Sequence, residues 1–236
     1  MNPERTQKYG GTNDVLSTCP RCERSPDTHE VRWIPSDGGS QRLLESFVRT
    51  LDDLSRETME SHNLREAYLA LATSRTQAGE EKVYSRSMMG TAVATIGTRV
   101  RKYATLSGPG PGIFLRWINH SRLPKDLTVV DTNNALDARG KIIDIRGRYF
   151  APVHTPQRRD KDYPAGSCAA QKLLDQIFTE ASAAGEKVGR IDLSEMFWRD
   201  FGTGERGTKW STIDVVPSCD TCKQILPQML CSNAGD

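Results

Sequence analysis

The sequence predicts an α/β fold preceded by a helical N-terminal region, and three observations predict it. Apolar residues recur at spacings of three and four from Gln41 onward, the signature of amphipathic helices. From Leu127, short apolar runs and turn residues alternate with two amphipathic stretches. Between the halves, Ser107-Gly108-Pro109-Gly110-Pro111-Gly112 can continue neither helix nor strand. The expected organisation is an irregular segment over 1–40, a helical accessory region over 41–112 and a third region over 113–236.

Residues 1–40 are rich in Gly, Ser, Pro, Asp and Thr. Leu43, Leu44, Phe47, Val48, Leu51 and Leu54 make one apolar stripe and a first helix. Leu64, Tyr68, Leu69 and Leu71 suggest a second helix, and Val83 to Val100 a third that Gly90 and Gly97 weaken. Ile113 to Ile118 fits a short helix. Leu127 to Leu136 reads as a strand, Asp137-Ala138-Arg139-Gly140 as a hairpin turn and Ile142 to Phe150 as the returning strand. Ser167 caps a helix that buries Leu173, Leu174, Ile177, Phe178 and Ala181 and stops at Gly185. Val188 to Trp198 begins as a strand and is less clear after Glu195. Ile213 to Val216 is a short strand. Ser218 caps a last helix with Ile225, Leu226, Met229 and Leu230 inward, shortened or bent by Pro227. The order from residue 127 is strand, strand, helix, strand, strand, helix.

Composition narrows the function. The 236 residues are 36% apolar and 26% charged, with a net charge of +2 and a mean hydropathy of −0.56. A chain that tracks nucleic acid usually carries a clear basic excess, so a small-molecule substrate fits better than a nucleic-acid strand. No run reaches the roughly 20 apolar residues of a membrane span. The N-terminus lacks the apolar core of a signal peptide, so a cytoplasmic protein is expected. Six cysteines are too few for a disulfide scaffold in a chain of this length, and metal binding is the stronger reading.

Three of those cysteines organise the functional reading. Cys168, in Gly166-Ser167-Cys168-Ala169-Ala170-Gln171, and Cys219 and Cys222, in Pro217-Ser218-Cys219-Asp220-Thr221-Cys222, each fall at an expected helix start. Helix-start amides and the helix dipole favour thiolates there. Three thiolates can hold Zn2+ and leave its fourth position for water, the arrangement of a hydrolytic metal site.

These motifs resemble those of the cytidine deaminase-like superfamily: His or Cys, any residue, then Glu, followed later by Pro-Cys-x-x-Cys. The resemblance covers about residues 127–232. It implies a three-layer α/β/α sandwich with a mixed sheet, usually of five strands, and a zinc held by Cys168, Cys219 and Cys222. It also implies hydrolytic release of ammonia from an amidine-type C–NH2 of a nucleobase or nucleoside, and often self-association as a homo-oligomer. Tyr163-Pro164-Ala165-Gly166-Ser167 is more similar to bacterial toxin-type and fungal deaminases than to housekeeping nucleoside enzymes. The chain departs from the pattern twice. Ser218 adds one residue between Pro217 and Cys219. Ala170 stands where the family's proton-shuttling glutamate is expected, and alanine shuttles no proton. Either the chain is an inactive relative or position 170 carries a Glu→Ala change, and the otherwise intact motif favours the change.

Alternatives stay open. The same chemistry suits a guanidino group, as in arginine or an arginine-derived metabolite, with Asp131 or Asp162 holding the cation. With a native Ala170, the chain would be a catalytically dead zinc-containing binding module. A toxin acting on nucleic acid is a further reading. Cys19 and Cys22 with Cys219 and Cys222 could instead close a four-cysteine structural zinc site, or Cys19 and Cys22 could form a surface turn. Cys231 reads as an ordinary buried thiol. Asn133, Asn134 and His154 are candidate substrate contacts, and Arg158 and Arg159 could line the same pocket. Phe197, Trp198 or Trp210 could stack on a planar substrate.

Overall fold

The computed structural model describes residues 18–24, 34–36, 38–60, 73–75, 81–83, 86–108, 123–130, 134–154, 164–199 and 219–232. Helix α1 spans Gly38–Glu60. Strands β1 (Thr73–Arg75) and β2 (Glu81–Val83) pair with each other. Strands β3 (Arg86–Ile96), β4 (Arg99–Leu106) and β5 (Leu127–Val129) follow, then β6 (Ile142–Ile143) and β7 (Tyr149–Phe150). Helix α2 (Ala169–Ala184), strand β8 (Val188–Arg199) and helix α3 (Asp220–Met229) complete the series. Among the described residues this is an α/β fold whose main sheet has four strands in the order β5-β4-β3-β8. The sheet is mixed: β3 is antiparallel to β4 and β8, and β4 is parallel to β5.

The predicted first helix is present as α1, with Leu43, Leu44, Phe47 and Leu51 buried. The predicted second helix, carried by Leu64, Tyr68, Leu69 and Leu71, lies outside the described residues. The third is overturned. Residues 86–100 form β3, its hairpin turn and the start of β4. Thr91, Val93, Thr95 and Ile96 are β-branched and suit a pleated strand better than a helix. Gly97, with φ 58°, supplies the left-handed residue that a two-residue hairpin turn requires. The 41–112 stretch is therefore no purely helical layer, because its second half furnishes β3 and β4 of the main sheet.

Side chains alternate along β3 as strand geometry demands. Met89 packs with Leu44, Phe47 and Leu51 of α1, alongside Ala104, Leu106 and Leu123. The Thr91 hydroxyl donates to the Ser40 carbonyl of α1 at 2.9 Å. Ala92, Ala94 and Ile96 instead join Leu173, Leu174, Ile177 and Phe178 of α2, with Ile191 and Leu193 of β8 and Ile225 and Leu226 of α3. The alternation thus gives α1 one set of β3 side chains and α2 the other.

The predicted strands over 127–136 and 142–150 are corrected in extent and pairing. Only Leu127–Val129 joins the main sheet, while Ile142–Ile143 and Tyr149–Phe150 pair with each other. Asp137 does make the expected turn, its carboxylate accepting from the Arg139 and Lys141 amides at 2.8 Å. A second such turn, at Asp144, is what divides β6 from β7. Its carboxylate accepts from the Arg146 and Arg148 amides at 2.9 Å. The expected helix for Ile113–Ile118 and strand for Ile213–Val216 lie outside the described residues.

Helix α2 buries the predicted face and ends at Gly185, φ 65°, where the Glu186 amide donates back to Ala181 at 2.9 Å. This is the closure that a left-handed glycine allows. Strand β8 runs unbroken past Glu195 to Arg199. Helix α3 carries Pro227 in its last turn and stops two residues later, as a missing N–H and a bulky ring dictate.

Candidate metal centre

The three predicted ligands converge. The Sγ atoms of Cys168, Cys219 and Cys222 lie within 4.8 Å of one another, and those of Cys168 and Cys219 are 3.4 Å apart. Sulfurs bound to one tetrahedral zinc at about 2.3 Å would sit roughly 3.8 Å apart. The donor set therefore fits a zinc ion in spacing and in chemistry, with one tetrahedral position left over.

Local sequence explains the convergence. Cys168 and Cys219 are themselves the N-cap residues of α2 and α3, both with extended backbone, at φ −76°, ψ 147° and φ −65°, ψ 162°. This corrects the expectation that Ser167 and Ser218 cap these helices. The Ser167 hydroxyl turns back to the Pro164 carbonyl at 2.6 Å, and Ser218 lies outside the described residues. The Cys219 sulfur accepts from the Cys222 amide at 3.3 Å, so the C-x-x-C spacing places a helix-start N–H on the first sulfur.

Without a cation between them, the three sulfurs compete for the thiolate form. Hydrogen bonds from Cys168 and Cys222, with backbone amides behind them, hold the Cys219 thiol down at about 3. Cys168 is pushed well above the ordinary thiol range, first by its hydrogen bond to Cys219 and further by burial and the nearby Glu195 charge. Cys222 rises too, through its bonds to Cys168 and Cys219 and its burial. Three packed sulfurs need a cation between them before all can ionise.

The surroundings fix the ligands. Gln171 is fully buried. Its Nε2 donates to the Cys222 sulfur at 3.4 Å while its Oε1 accepts from the Gly166 amide at 2.6 Å. One side chain thus ties the second motif to the turn before the first, the kind of outer contact that orients metal ligands. Buried Lys172 donates to the carbonyls of Leu106, at 3.1 Å, and Gly108, at 2.8 Å, locking the first turn of α2 to the end of β4. Burial lowers its ammonium to about 8.

Ala170 is fully buried, and its amide donates to Glu195 Oε1 at 3.0 Å. Glu195 is itself buried, on β8 directly opposite Gly90 of β3. A Cβ on Gly90 would come 2.9 Å from Leu173 Cδ1, 3.0 Å from Ala169 Cβ and 3.6 Å from Glu195 Cγ. Glycine here lets the start of α2 lie on the sheet with the Glu195 stem beside it. Glu195 was not among the predicted site residues. The available signal was its place in the alternation Ile191, Leu193, Glu195, a carboxylate on an otherwise apolar face.

Of the predicted substrate contacts, Asn134 serves the loop before Cys168. Its Nδ2 donates to the Ala165 carbonyl at 3.1 Å and its Oδ1 accepts from the Leu136 amide at 2.8 Å. Half-buried His154 follows Val153, whose backbone is held by both ends of the Gln228 amide on α3, at 2.9 and 2.7 Å. Asn133, Asp131, Asp162, Arg158, Arg159 and Trp210 lie outside the described residues, as do the side chains of Phe197 and Trp198. The proposed four-cysteine site is overturned, because Cys19 and Cys22 meet Cys231 instead. Cys231 is buried as expected, and the turn holding Cys19 and Cys22 keeps Pro20, Glu23 and Arg24 exposed while Cys19 packs against Cys231.

Among the described residues, no helix is long and apolar enough to cross a membrane. Comparison with known proteins gave no matching family model, curated protein or solved structure.

Proposed function

We propose that the chain is a zinc-dependent hydrolytic deaminase acting on the amidine-type C–NH2 of a nucleobase or nucleoside, with Glu195 as its proton shuttle. The fold in this reading is a three-layer α/β/α sandwich, with α1 on one side of the mixed sheet and α2 and α3 on the other. The observation that carries it is the buried Glu195 carboxylate at the amide of Ala170, two residues after Cys168 of the three-cysteine cluster. With the short strands β5, β6 and β7 set aside as additions between β4 and α2, the order β3, β4, α2, β8, α3 supports it. That is the strand, strand, helix, strand, helix order of the cytidine deaminase-like superfamily, carried by an earlier pair of strands than the sequence suggested.

Cys168, Cys219 and Cys222 would hold the zinc, which when bound supplies water activation near neutral pH. Water adds to the amidine carbon, the C–N bond breaks and ammonia leaves, with no change in oxidation state. Glu195 carries one proton from the attacking water to the ring nitrogen and then the second, from the added hydroxyl, to the departing amine. The Ala170 N–H, aimed at Oε1 from the helix start, steadies the carboxylate between transfers. On this reading alanine at position 170 needs no introduced change, because the glutamate reaches the helix start from the neighbouring strand.

The test is ammonia release by the zinc-loaded chain, Glu195→Gln and Ala170→Glu, on cytidine, adenosine, guanine, single-stranded DNA and arginine. Turnover of a base or nucleoside by the unaltered chain, lost in Glu195→Gln with zinc retained, is the expected result. Activity confined to Ala170→Glu would remove Glu195 from the role. Turnover of arginine or DNA alone would move the substrate class. Zinc-loaded protein inactive in every form would make the chain a binding module.

A further inference from the structure

We propose that Cys19, Cys22 and Cys231 form a second, structural zinc site that fastens the N-terminal Cys-Pro-Arg-Cys turn to the end of α3. The three Sγ atoms lie within 4.8 Å of one another, and the residues form a small buried cluster of their own. The proposal is independent of the deaminase reading.

The turn is shaped as a metal-binding knuckle would be. The Arg21 amide points at the Cys19 sulfur at 3.4 Å. The Glu23 amide closes onto the Cys19 carbonyl at 2.8 Å, and the Cys19 amide donates to Arg24 at 2.9 Å. Glu23, just past the second cysteine, takes φ 58°, and no other described non-glycine residue has a positive φ. Such a backbone is disfavoured for a residue with a Cβ, and here it accompanies the return of the Arg24 carbonyl to the Cys19 amide. Three thiols packed in a buried cluster gain little as thiols, but as thiolates they bind zinc strongly.

The surroundings hold the turn in place. Arg21, between the two cysteines, forms an ion pair with Asp144, whose side chain is fully buried and also pairs with Arg148 at 3.3 Å. The Arg21 guanidinium lies 4.1 Å from the centre of the Phe150 ring. The Ile145 amide donates to the Met229 carbonyl at 2.8 Å, joining the same β6–β7 turn to the last residue of α3. Cys231 follows two residues later. A helix rises about 1.5 Å per residue, so the ten residues of α3 place the two cysteine clusters at opposite ends of one short rod. They cannot share an ion. A closed structural site takes four ligands, and Cys19, Cys22 and Cys231 supply three of them.

The experiment counts zinc. The full chain, loaded with zinc under reducing conditions, should hold two ions. Cys19→Ser with Cys22→Ser should hold one, as should Cys168→Ser with Cys222→Ser. Cobalt substitution of the unaltered chain guards against a variant that fails to fold. Two thiolate-bound ions per chain support the proposal, and one ion overturns it. X-ray absorption of the zinc form of Cys168→Ser, Cys222→Ser should show three sulfur donors, and an ion without sulfur donors would overturn the proposal. A disulfide among Cys19, Cys22 and Cys231 in freshly purified protein, with no second ion taken up after reduction, would overturn it as well.

Discussion

Glu195 Oε1 accepts a hydrogen bond from the Ala170 amide at 3.0 Å, so a buried carboxylate on β8 sits at the helix position where the sequence motif leads one to expect a glutamate. If Glu195 shuttles the proton, Glu195→Gln keeps the shape and the hydrogen bond but not the chemistry. Turnover should fall by about 10²- to 10⁴-fold at unchanged zinc content. Adding Ala170→Glu to that variant should restore part of the rate, since it returns a carboxylate to the same helix start. Ammonia release and metal analysis on matched preparations check both.

Gln171 links the Cys222 sulfur to the Gly166 turn. Gln171→Ala removes both bonds, leaving the ligands in place but less firmly oriented. Zinc affinity should fall by roughly 10- to 100-fold, the usual effect of losing an outer contact. Competition against a chromophoric chelator measures it. Unchanged affinity would mean that Gln171 only fills space.

Gly90 is the position where strand and helix come closest. Gly90→Val puts branched carbon where Leu173 and Ala169 already stand within about 3 Å of a modest Cβ. The start of α2, with Cys168 on it, must move away. A loss of about 1–3 kcal/mol is expected in urea unfolding of the zinc-loaded protein, accompanied by weaker zinc binding. The smaller Gly90→Ala should show the same effects in lesser degree.

How much of this was legible in the sequence follows from what each signal depends on. The cysteines were legible because a helix start is a local event: a loop, a cap, then an amphipathic run, as at Cys168 and Leu173. The face of α2 and its stop at Gly185 were legible for the same reason. Strand β3 was misread because its central residues, Met89 to Ala92, are buried on both sides. A strand covered on both faces loses the alternation that would distinguish it from a helix. The short pieces β6 and β7 were read as one long strand because the turn between them rests on a single side chain, Asp144. The contacts of Glu195 with Ala170 and of Cys231 with Cys19 were not legible because they come from long-range pairing. No spacing in the sequence brings Glu195 to Ala170, or Cys231 to Cys19.

Asp175 offers a pH test of the packing behind the site. It stands on α2 and accepts from the Ile143 amide at 3.4 Å, and burial raises its carboxyl to about 6. A carboxyl raised on folding prefers its neutral form in the native state. Its ionisation therefore costs stability above about pH 6, and the cost disappears below the unfolded value of 3.8. Asp175→Asn keeps an acceptor for Ile143 and cannot ionise. It should be more stable than the unaltered chain at pH 7 by about 1 kcal/mol, the full effect of the raised carboxyl being discounted for its partial exposure. The two proteins should converge near pH 4. Urea unfolding of both at pH 4, 6 and 7.5 checks the sign. An Asn variant that is less stable at pH 7.5 would mean the ionised carboxylate has a favourable partner in the native state.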